Sequence, residues 1–336
     1  MNQYRLSRMA AAQQKAYDSI VRGIQNFEKE VSIDGNCNLA PIKEEISVGI
    51  PEFFYLDKRI GMSKGLFGQK LHFQYLYSRN EIERLRRELE DIAAEVIAER
   101  INDHQSEYDK ALVLYDFLKT RAVYNTAATA AFNPLALSAE VQESFSVVGA
   151  LINGACVCEG FAKAYQFLCD RAGLECTVIS GEIQTPAISG PHAWNIVKIN
   201  GYYHHVDVTL DSQSVTRPER GYFYFGLDDD TIRRNHIWNE DQYVKCPVAP
   251  YNYFKANDAI IDSATQLKRF LKDKIDFEEN PILFKIKQGS ALEADESLAP
   301  AAISEVMNVY GRGRVGRMET SMISEHQIMI VELEYV

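Results

Sequence analysis

The chain has 336 residues, 46% hydrophobic and 25% charged, ordinary fractions for a globular protein and unlike those of a disordered one. Its net charge of −11 disfavours nucleic acid as a partner, and no stretch approaches the roughly 20 apolar residues that cross a bilayer. The six cysteines, Cys37, Cys156, Cys158, Cys169, Cys176 and Cys246, are too sparse for a disulfide framework and lack the paired CxxC spacing of a zinc site. Met1–Lys15 is polar and lacks the apolar segment of a signal peptide, so a cytoplasmic protein is expected, or an exported one if a leader has been trimmed.

Residues 1–105 read as a mainly helical region. Tyr17, Ile20, Val21, Ile24 and Phe27 recur at helical spacing, and a Gly/Asn-containing break follows at Asp34–Asn38. Leu71–Tyr77 reads as a short strand. A helix follows with Asn80 as its cap and Glu83 placed to reach back, carrying Ile82, Leu85, Leu89, Ile92, Val96 and Ile97 on one stripe. Residues 106–250 form the expected core. Its first helix starts at Ser106 and turns Tyr108, Leu112, Tyr115 and Leu118 inward. Asn125–Ser146 reads as a long connection with short helical turns, the kind of segment that is often functional. The next helix carries Phe161, Tyr165, Leu168 and Cys169 and stops at Gly173. Strands are expected at Cys176–Ile179, Trp194–Ile199 and Tyr202–Thr209, the last two joined by Asn200-Gly201, a strong hairpin signal. Beyond Pro247–Pro250, residues 251–336 read as a small α+β domain: a strand, a helix over Ala264–Asp276, a strand over Pro281–Ile286, a helix over Pro300–Tyr310 and a strand over His326–Tyr335.

The chemistry concentrates in the core. Cys158 sits at the entry of a helix, where first-turn amides and the helix dipole favour a thiolate. Gly160 leaves room for a substrate backbone. With a two-residue turn, Ile199 pairs with Tyr202, so Asp207 lies opposite Trp194 and His192 opposite Thr209. His192 and Asp207 then share a face as diagonal neighbours roughly 7 Å apart, within reach of an imidazole–carboxylate hydrogen bond. A thiol, a base and a carboxylate that orients the base are the parts of a nucleophilic triad.

Three motifs carry a family resemblance. Gly154-Ala155-Cys156-Val157-Cys158-Glu159-Gly160-Phe161-Ala162 resembles the nucleophile segment of bacterial transglutaminase-like proteins. His192-Ala193-Trp194-Asn195 resembles their histidine motif, and His205-Val206-Asp207-Val208-Thr209 their aspartate motif, in matching order and spacing. The clear resemblance runs from Glu107 to Asp211, and Pro51–Leu56 is similar to the N-terminal region of some such proteins. The resemblance implies an α+β fold with a papain-like transglutaminase core, flanked here by the N-terminal helical region and the C-terminal α+β domain. It also implies acyl transfer through a Cys158 thioester, without cofactor or metal. The expected substrate is a protein or peptide, the expected reaction peptide or amide hydrolysis. The alternatives are transglutaminase cross-linking and a non-catalytic binding module that keeps the fold. Oligomeric state is not legible.

For the remaining candidates a packing role competes with a functional one. Cys156 departs from the family pattern and reads as a small packing residue, with a role in resolving an oxidised Cys158 as the alternative. The oxyanion hole would use the Cys158 N–H, with the Asn153 side chain or Tyr124 as a second donor. Trp194 is a candidate for the substrate site, or a shield over the triad. His204 and His205 face opposite sides of their strand, and His205 reads as packing or surface. Asp228-Asp229-Asp230 reads as a solvated turn, and the basic island Arg312, Arg314 and Arg317 as a solvated loop. His236 and Trp238 lie in a segment similar to one in family relatives, with no role readable from sequence.

Overall fold

The computed structural model describes residues 3–35, 37–65, 68–132, 137–185, 188–212, 221–323 and 327–336. Two compact units result, Met1–Glu219 with Tyr224–Ala249, and Arg220–Phe223 with Pro250–Val336.

The first unit opens with α1 (Gln3–Arg8) and α2 (Ala11–Gln25), whose stripe of Tyr17, Ile20 and Ile24 is buried. Then come β1 (Glu30–Asp34), α3 (Ala40–Val48), β2 (Gly61–Lys64) and β3 (Gly68–His72). The three strands form one sheet in the order β1-β3-β2. Asn36, within the expected break, lies outside the described residues. The strand expected at Leu71–Tyr77 ends at His72, and Tyr75 keeps only an isolated bridge to Leu56. Its ring instead packs among Phe27 and Tyr55, at 5.5 and 6.1 Å between centroids, so aromatic packing wins over the ladder. The long helix α4 (Arg79–Arg100) is capped by Ser78, which accepts the Glu81 N–H at 3.4 Å, and not by the expected Asn80.

Helix α5 (Glu107–Arg121) starts at Ser106 with a reciprocal capping box to Asp109. It buries Leu114, Tyr115 and Leu118, while Tyr108 and Leu112 are half-buried. After β4 (Val123–Tyr124), the long connection holds α6 (Thr126–Ala130) and α7 (Ala139–Glu143); residues 133–136 lie outside the described residues. Next come α8 (Val147–Leu151), β5 (Ala155–Cys156), α9 (Cys158–Arg171), β6 (Cys176–Gln184), β7 (Ser189–Ile199), β8 (Tyr202–Val206) and α10 (Val208–Ser212). The unit ends with β9 (Phe225–Leu227), α11 (Asp229–Ile232) and β10 (His236–Trp238). A five-stranded antiparallel sheet runs β10-β6-β7-β8-β9. Helix α9 packs on it through Ala162 against Val178 and Ala193, and Asn195 Nδ2 donates to Ala162 O at 2.9 Å.

The hairpin register is the expected one, Ile199 opposite Tyr202 and Asn195 opposite Val206. The strand was expected to reach Thr209, opposite His192. It stops at Val206 because Asp207 turns the chain into α10, its Oδ1 accepting the Thr209 and Leu210 N–H groups at 2.9 and 3.3 Å.

The second unit contains α12 (Tyr253–Ala256), β11 (Ile260–Ile261), α13 (Ala264–Asp276), β12 (Ile282–Ile286), α14 (Ala291–Ala294), α15 (Leu298–Tyr310), β13 (Val315–Ile323) and β14 (Ile328–Tyr335). Its sheet runs β11-β12-β14-β13 over a core that includes Leu267, Leu271, Phe284, Ile303 and Ile330. His326, expected at the start of the last strand, lies outside the described residues. Strand β13 was not anticipated, because its residues are mostly exposed and lack apolar alternation. It takes up Arg317, and Arg314 pairs with Asp276 at 2.8 Å, so the expected solvated loop is partly an edge strand. The architecture is α+β, and among the described residues no helix is long and apolar enough to cross a membrane.

Candidate active site

Cys158 is placed by a short strand running straight into a helix. Gly154, at φ +69°, makes the turn that lets β5 pair with β4, and Val157 N donates to Ser144 O at 2.9 Å. Val157 then caps α9, so Cys158 is its first residue and its N–H is among those without an intrahelical acceptor. Cys158 is partly exposed, whereas Cys156 is buried, and burial pushes the Cys156 thiol well up. All six cysteines are free thiols.

His192 stands on β7, opposite Gly181 of β6. Its Nε2 lies 2.7 Å from Asp207 Oδ2, which leaves Nδ1 as the ring nitrogen available to the Cys158 thiol beside it. The pair is buried, with His192 8% and Asp207 1% exposed. Burial alone would lower the His192 pKa; the charge and hydrogen bond of Asp207, with Cys158 beside the ring, outweigh it and hold His192 at about 10. Burial would raise the Asp207 carboxyl, but His192 and the hydrogen bonds of His192 and His236 hold it well below the carboxylate range. A charged imidazolium between a thiol and a carboxylate is the arrangement a thiolate nucleophile needs.

His236 was not assigned a role from sequence. Its Nε2 lies 3.1 Å from the same Asp207 Oδ2, and the residue is fully buried. Burial lowers its pKa, with Asp207 opposing, so this ring is the neutral partner. Its Nδ1 lies 2.7 Å from the Asn235 amide oxygen. The Asn235 Nδ2 in turn donates to the Tyr224 hydroxyl at 2.7 Å. The readable signal was the spacing of His236 and Trp238, two residues apart on one strand face.

The remaining candidates are redistributed. Asn153 is exposed and its Nδ2 donates to Glu143 Oε2 at 3.0 Å, so that donor is already engaged away from the sulfur. Tyr124 lies opposite Cys156 across the parallel β4–β5 pair. Burial pushes its hydroxyl pKa up, opposed by a Thr129 hydrogen bond and aided by Cys158, Cys156 and Asp207, which places it in the sulfur's surroundings. Gly160 does not open substrate space. A Cβ there would lie 2.6 Å from Cys156 Cβ and 2.7 Å from Ser144 O, so the glycine lets α9 seat against the Ser144–Ser146 turn. Trp194, 1% exposed, is not a surface for substrate; it stacks on His192 with centroids 6.0 Å apart and planes 19° apart. His204 and His205 are both fully buried. The acidic run is not one solvated turn: Asp228 caps α11, Asp229 pairs with buried His205, and Asp230 pairs with Arg233. Beside the sulfur, Glu159 takes Lys58 and Lys163 at 2.6 and 2.8 Å, tying the N-terminal region to the start of α9.

Among the described residues, two buried sets carry metal-ligand atoms within 4.8 Å of one another, His192–Asp207–His236 and His205–Asp229–Cys246. In the first, both imidazole Nε2 atoms point at one carboxylate oxygen as hydrogen-bond donors. In the second, Trp194 donates to His205 Nδ1 at 3.0 Å, which keeps the His205 proton on Nε2, the atom a metal would need bare. Both sets are therefore hydrogen-bonded pairs as they stand.

The family profile described as the Transglutaminase-like superfamily matches residues 95–208. No curated protein matches the chain. Among solved structures, a TGase aligns over 57% of this chain and 53% of its own, at 12% identity and TM-score 0.34. A candidate cysteine protease from Cytophaga hutchinsonii aligns over 42% and 51%, at 15% identity and TM-score 0.28. An arylamine N-acetyltransferase from Bacillus cereus, with a Cys-His-Glu triad, aligns over 36% and 50%, at 17% identity and TM-score 0.26. The chain thus covers about half the length of each. Residues 95–208 are a transglutaminase-like domain.

Proposed function

We propose that this protein is a cysteine-dependent hydrolase of peptide or amide bonds, working through a thioester on Cys158. The observation that carries the reading is His192 set between the Cys158 thiol and the Asp207 carboxylate, 2.7 Å from the latter and held charged up to about pH 10. In the proposed cycle the Cys158 thiolate attacks the carbonyl carbon of the scissile amide. The oxygen of the tetrahedral intermediate takes its negative charge at the first-turn amides of α9, with Tyr124 as the neighbouring hydroxyl. Collapse breaks the C–N bond, and His192 gives its Nδ1 proton to the departing amine. A water then attacks the thioester and returns a proton to Nδ1. The carboxylic acid leaves and the thiolate–imidazolium pair is restored.

Asp207 is shared by His192 and His236, which fixes the His192 ring so that Nδ1 always faces the sulfur. A primary amine in place of water would give transamidation from the same thioester. Hydrolysis is preferred because water is always present.

The test is iodoacetamide labelling of the full chain between pH 5 and 11, with peptide mapping, followed by screening of peptide and amide substrates with and without added methylamine. Selective labelling of Cys158 at neutral pH, and amine release lost in Cys158→Ala, are expected. Methylamine appearing in the product would move the reading to transamidation. A Cys158 that labels no faster than buried Cys169 would indicate a non-catalytic module.

A further inference from the structure

The sheet face that carries His192 also carries a second histidine–carboxylate pair that the proposed cycle does not use. His205 Nε2 lies 2.9 Å from Asp229 Oδ1. Asp229 Oδ2 accepts the Cys246 N–H at 3.0 Å, and the Asp229 N–H donates to Cys246 O at 2.9 Å, so the carboxylate is anchored by backbone. On the other side, Trp194 Nε1 donates to His205 Nδ1 at 3.0 Å. An indole N–H can only donate, so His205 accepts at Nδ1 and carries its proton on Nε2, toward Asp229. Burial keeps this ring neutral, lowering its pKa against the pull of Asp229.

The register explains the placement. His205 lies opposite Ile196, which shares a face of β7 with His192 and Trp194. Gly181 completes it: a Cβ there would lie 2.7 Å from Trp194 Cη2, so the indole rests where that side chain is missing. The indole then lies nearly parallel to the His192 ring, at 6.0 Å and 19°, and edge-on to His236, at 4.7 Å and 68°.

We infer that His205 and Asp229 are positioning residues for His192, acting through Trp194: by holding the indole N–H they fix the ring plane that keeps His192 aligned between Cys158 and Asp207 and favours its protonated form. The inference rests on the thiol chemistry proposed above for its functional meaning. The physical basis is the attraction of a cation to an indole face, which depends on the plane being held. The titratable groups around His192 are Cys158, Asp207 and His236, all common to the variants compared below.

The test compares His205→Gln with His205→Asn in the full chain. The Gln amide reaches the Nε2 position facing Asp229 but gives Trp194 no acceptor. The Asn oxygen falls near the Nδ1 position and keeps one. In an NMR titration of 15N-labelled histidines, His205→Gln should weaken proton binding at His192 by about 3- to 30-fold, while His205→Asn stays close to wild type. The Trp194 indole N–H resonance should move upfield in His205→Gln alone. Identical His192 titrations in both variants and wild type would overturn the inference, as would an equal loss in both. The wild-type protein gives a check that needs no variant to fold: a His205 ring protonated on Nδ1 overturns the relay outright. Iodoacetamide labelling of wild-type Cys158 judges the thiol chemistry separately, because the His192 titration is read whether or not the thiol reacts.

Discussion

Replacing Asp207 by Asn keeps the shape of the side chain and removes its charge, and the surroundings dictate the response. All four neighbours of the carboxylate are donors: the Thr209 and Leu210 N–H groups at Oδ1, and the Nε2 atoms of His192 and His236 at Oδ2. An amide offers one acceptor oxygen. If that oxygen keeps the α10 amides, the new NH2 faces two imidazoles; if it turns to the imidazoles, the NH2 faces two backbone N–H groups. A donor meets donors in either case. His192 can relieve the conflict by losing its Nε2 proton, which leaves a neutral ring protonated on Nδ1, the wrong form to accept a proton from Cys158. A ring held at about 10 in the native site would return toward the ordinary 6.5, and burial would take it lower. At pH 7 the charged fraction would drop about 10-fold, and poorer orientation in protonating the leaving group would bring the loss in thioester formation to roughly 10- to 1,000-fold. The assay is the rate of Cys158 alkylation, and of amide cleavage once a substrate is in hand, across pH 5–11, with circular dichroism to confirm folding. The alkaline fall of the amide-cleavage profile, where His192 loses the proton it gives to the leaving amine, should move from near pH 10 to below 7. A folded Asp207→Asn protein with wild-type rates and an unmoved limb would refute the reasoning and leave a Cys–His pair without an orienting carboxylate.

Gly160→Ala should lower stability by about 1–3 kcal/mol in urea titration, because the added methyl meets Cys156 Cβ and Ser144 O at the seat of α9. An unchanged midpoint would show that the helix start can shift freely. Glu159→Gln leaves the buried Lys163 and the partly exposed Lys58 without their carboxylate; a loss of about 3 kcal/mol is expected, the low end of the usual range because Lys58 can swing toward water. Among the shifted carboxylates, Asp211 and Asp207 act on the pH dependence of stability in opposite directions. Asp211 is held at about 6, raised by burial against the pull of Lys119, so the folded protein binds its proton more tightly than the unfolded chain. Its contribution is full below about pH 4 and lost as the pH rises through 6. Asp207, held low, contributes above about pH 4 and loses that contribution as the pH falls. Asp211→Asn should therefore flatten the decline of urea midpoints between pH 4 and 6, and an unaltered slope would count against the raised carboxyl. Truncation after Ala249 should leave the Cys158 unit folded but expose Tyr222 and Phe223, which pack on the second unit's core; aggregation relieved by polar substitution of both would support this, and loss of the near-ultraviolet signal of the first unit would not.

The parts of the fold that were legible are those where one local signal decides the outcome. Asn200-Gly201 sets the β7–β8 register by turn geometry alone, and that register brings His192 near Asp207. Ser106 and Asp109 start α5 through a capping box contained in four residues. Where two local signals compete, sequence reading failed. Ser78 and Asn80 can both cap a helix, and the one whose oxygen reaches a free N–H is chosen by how the preceding aromatic run packs. Strand β13 was hidden because an edge strand facing water needs no apolar period.

The site divides along the same line. Cys158, His192 and Asp207, the proposed nucleophile, base and orienter, are picked out by residue type and spacing, because each sits at the end of, or within, a regular element. The residues behind them could not be ranked from sequence. His236 lies 29 positions from Asp207 and Asp229 lies 24 from His205, and a strand or helix start says nothing about which buried acid it will meet. Burial decides their roles. In a dry interior each imidazole must find a donor or acceptor for both ring nitrogens, so His192, His205 and His236, three of the four buried histidines among the described residues, are sorted by their partners. Asp207 accepts from two of them and makes one a cation; Asp229 and Trp194 bracket the third and keep it neutral. The same residue type thus takes a charged and a neutral form within one layer, and the difference lies in whether its Nδ1 faces a thiol or a fixed hydrogen-bond partner.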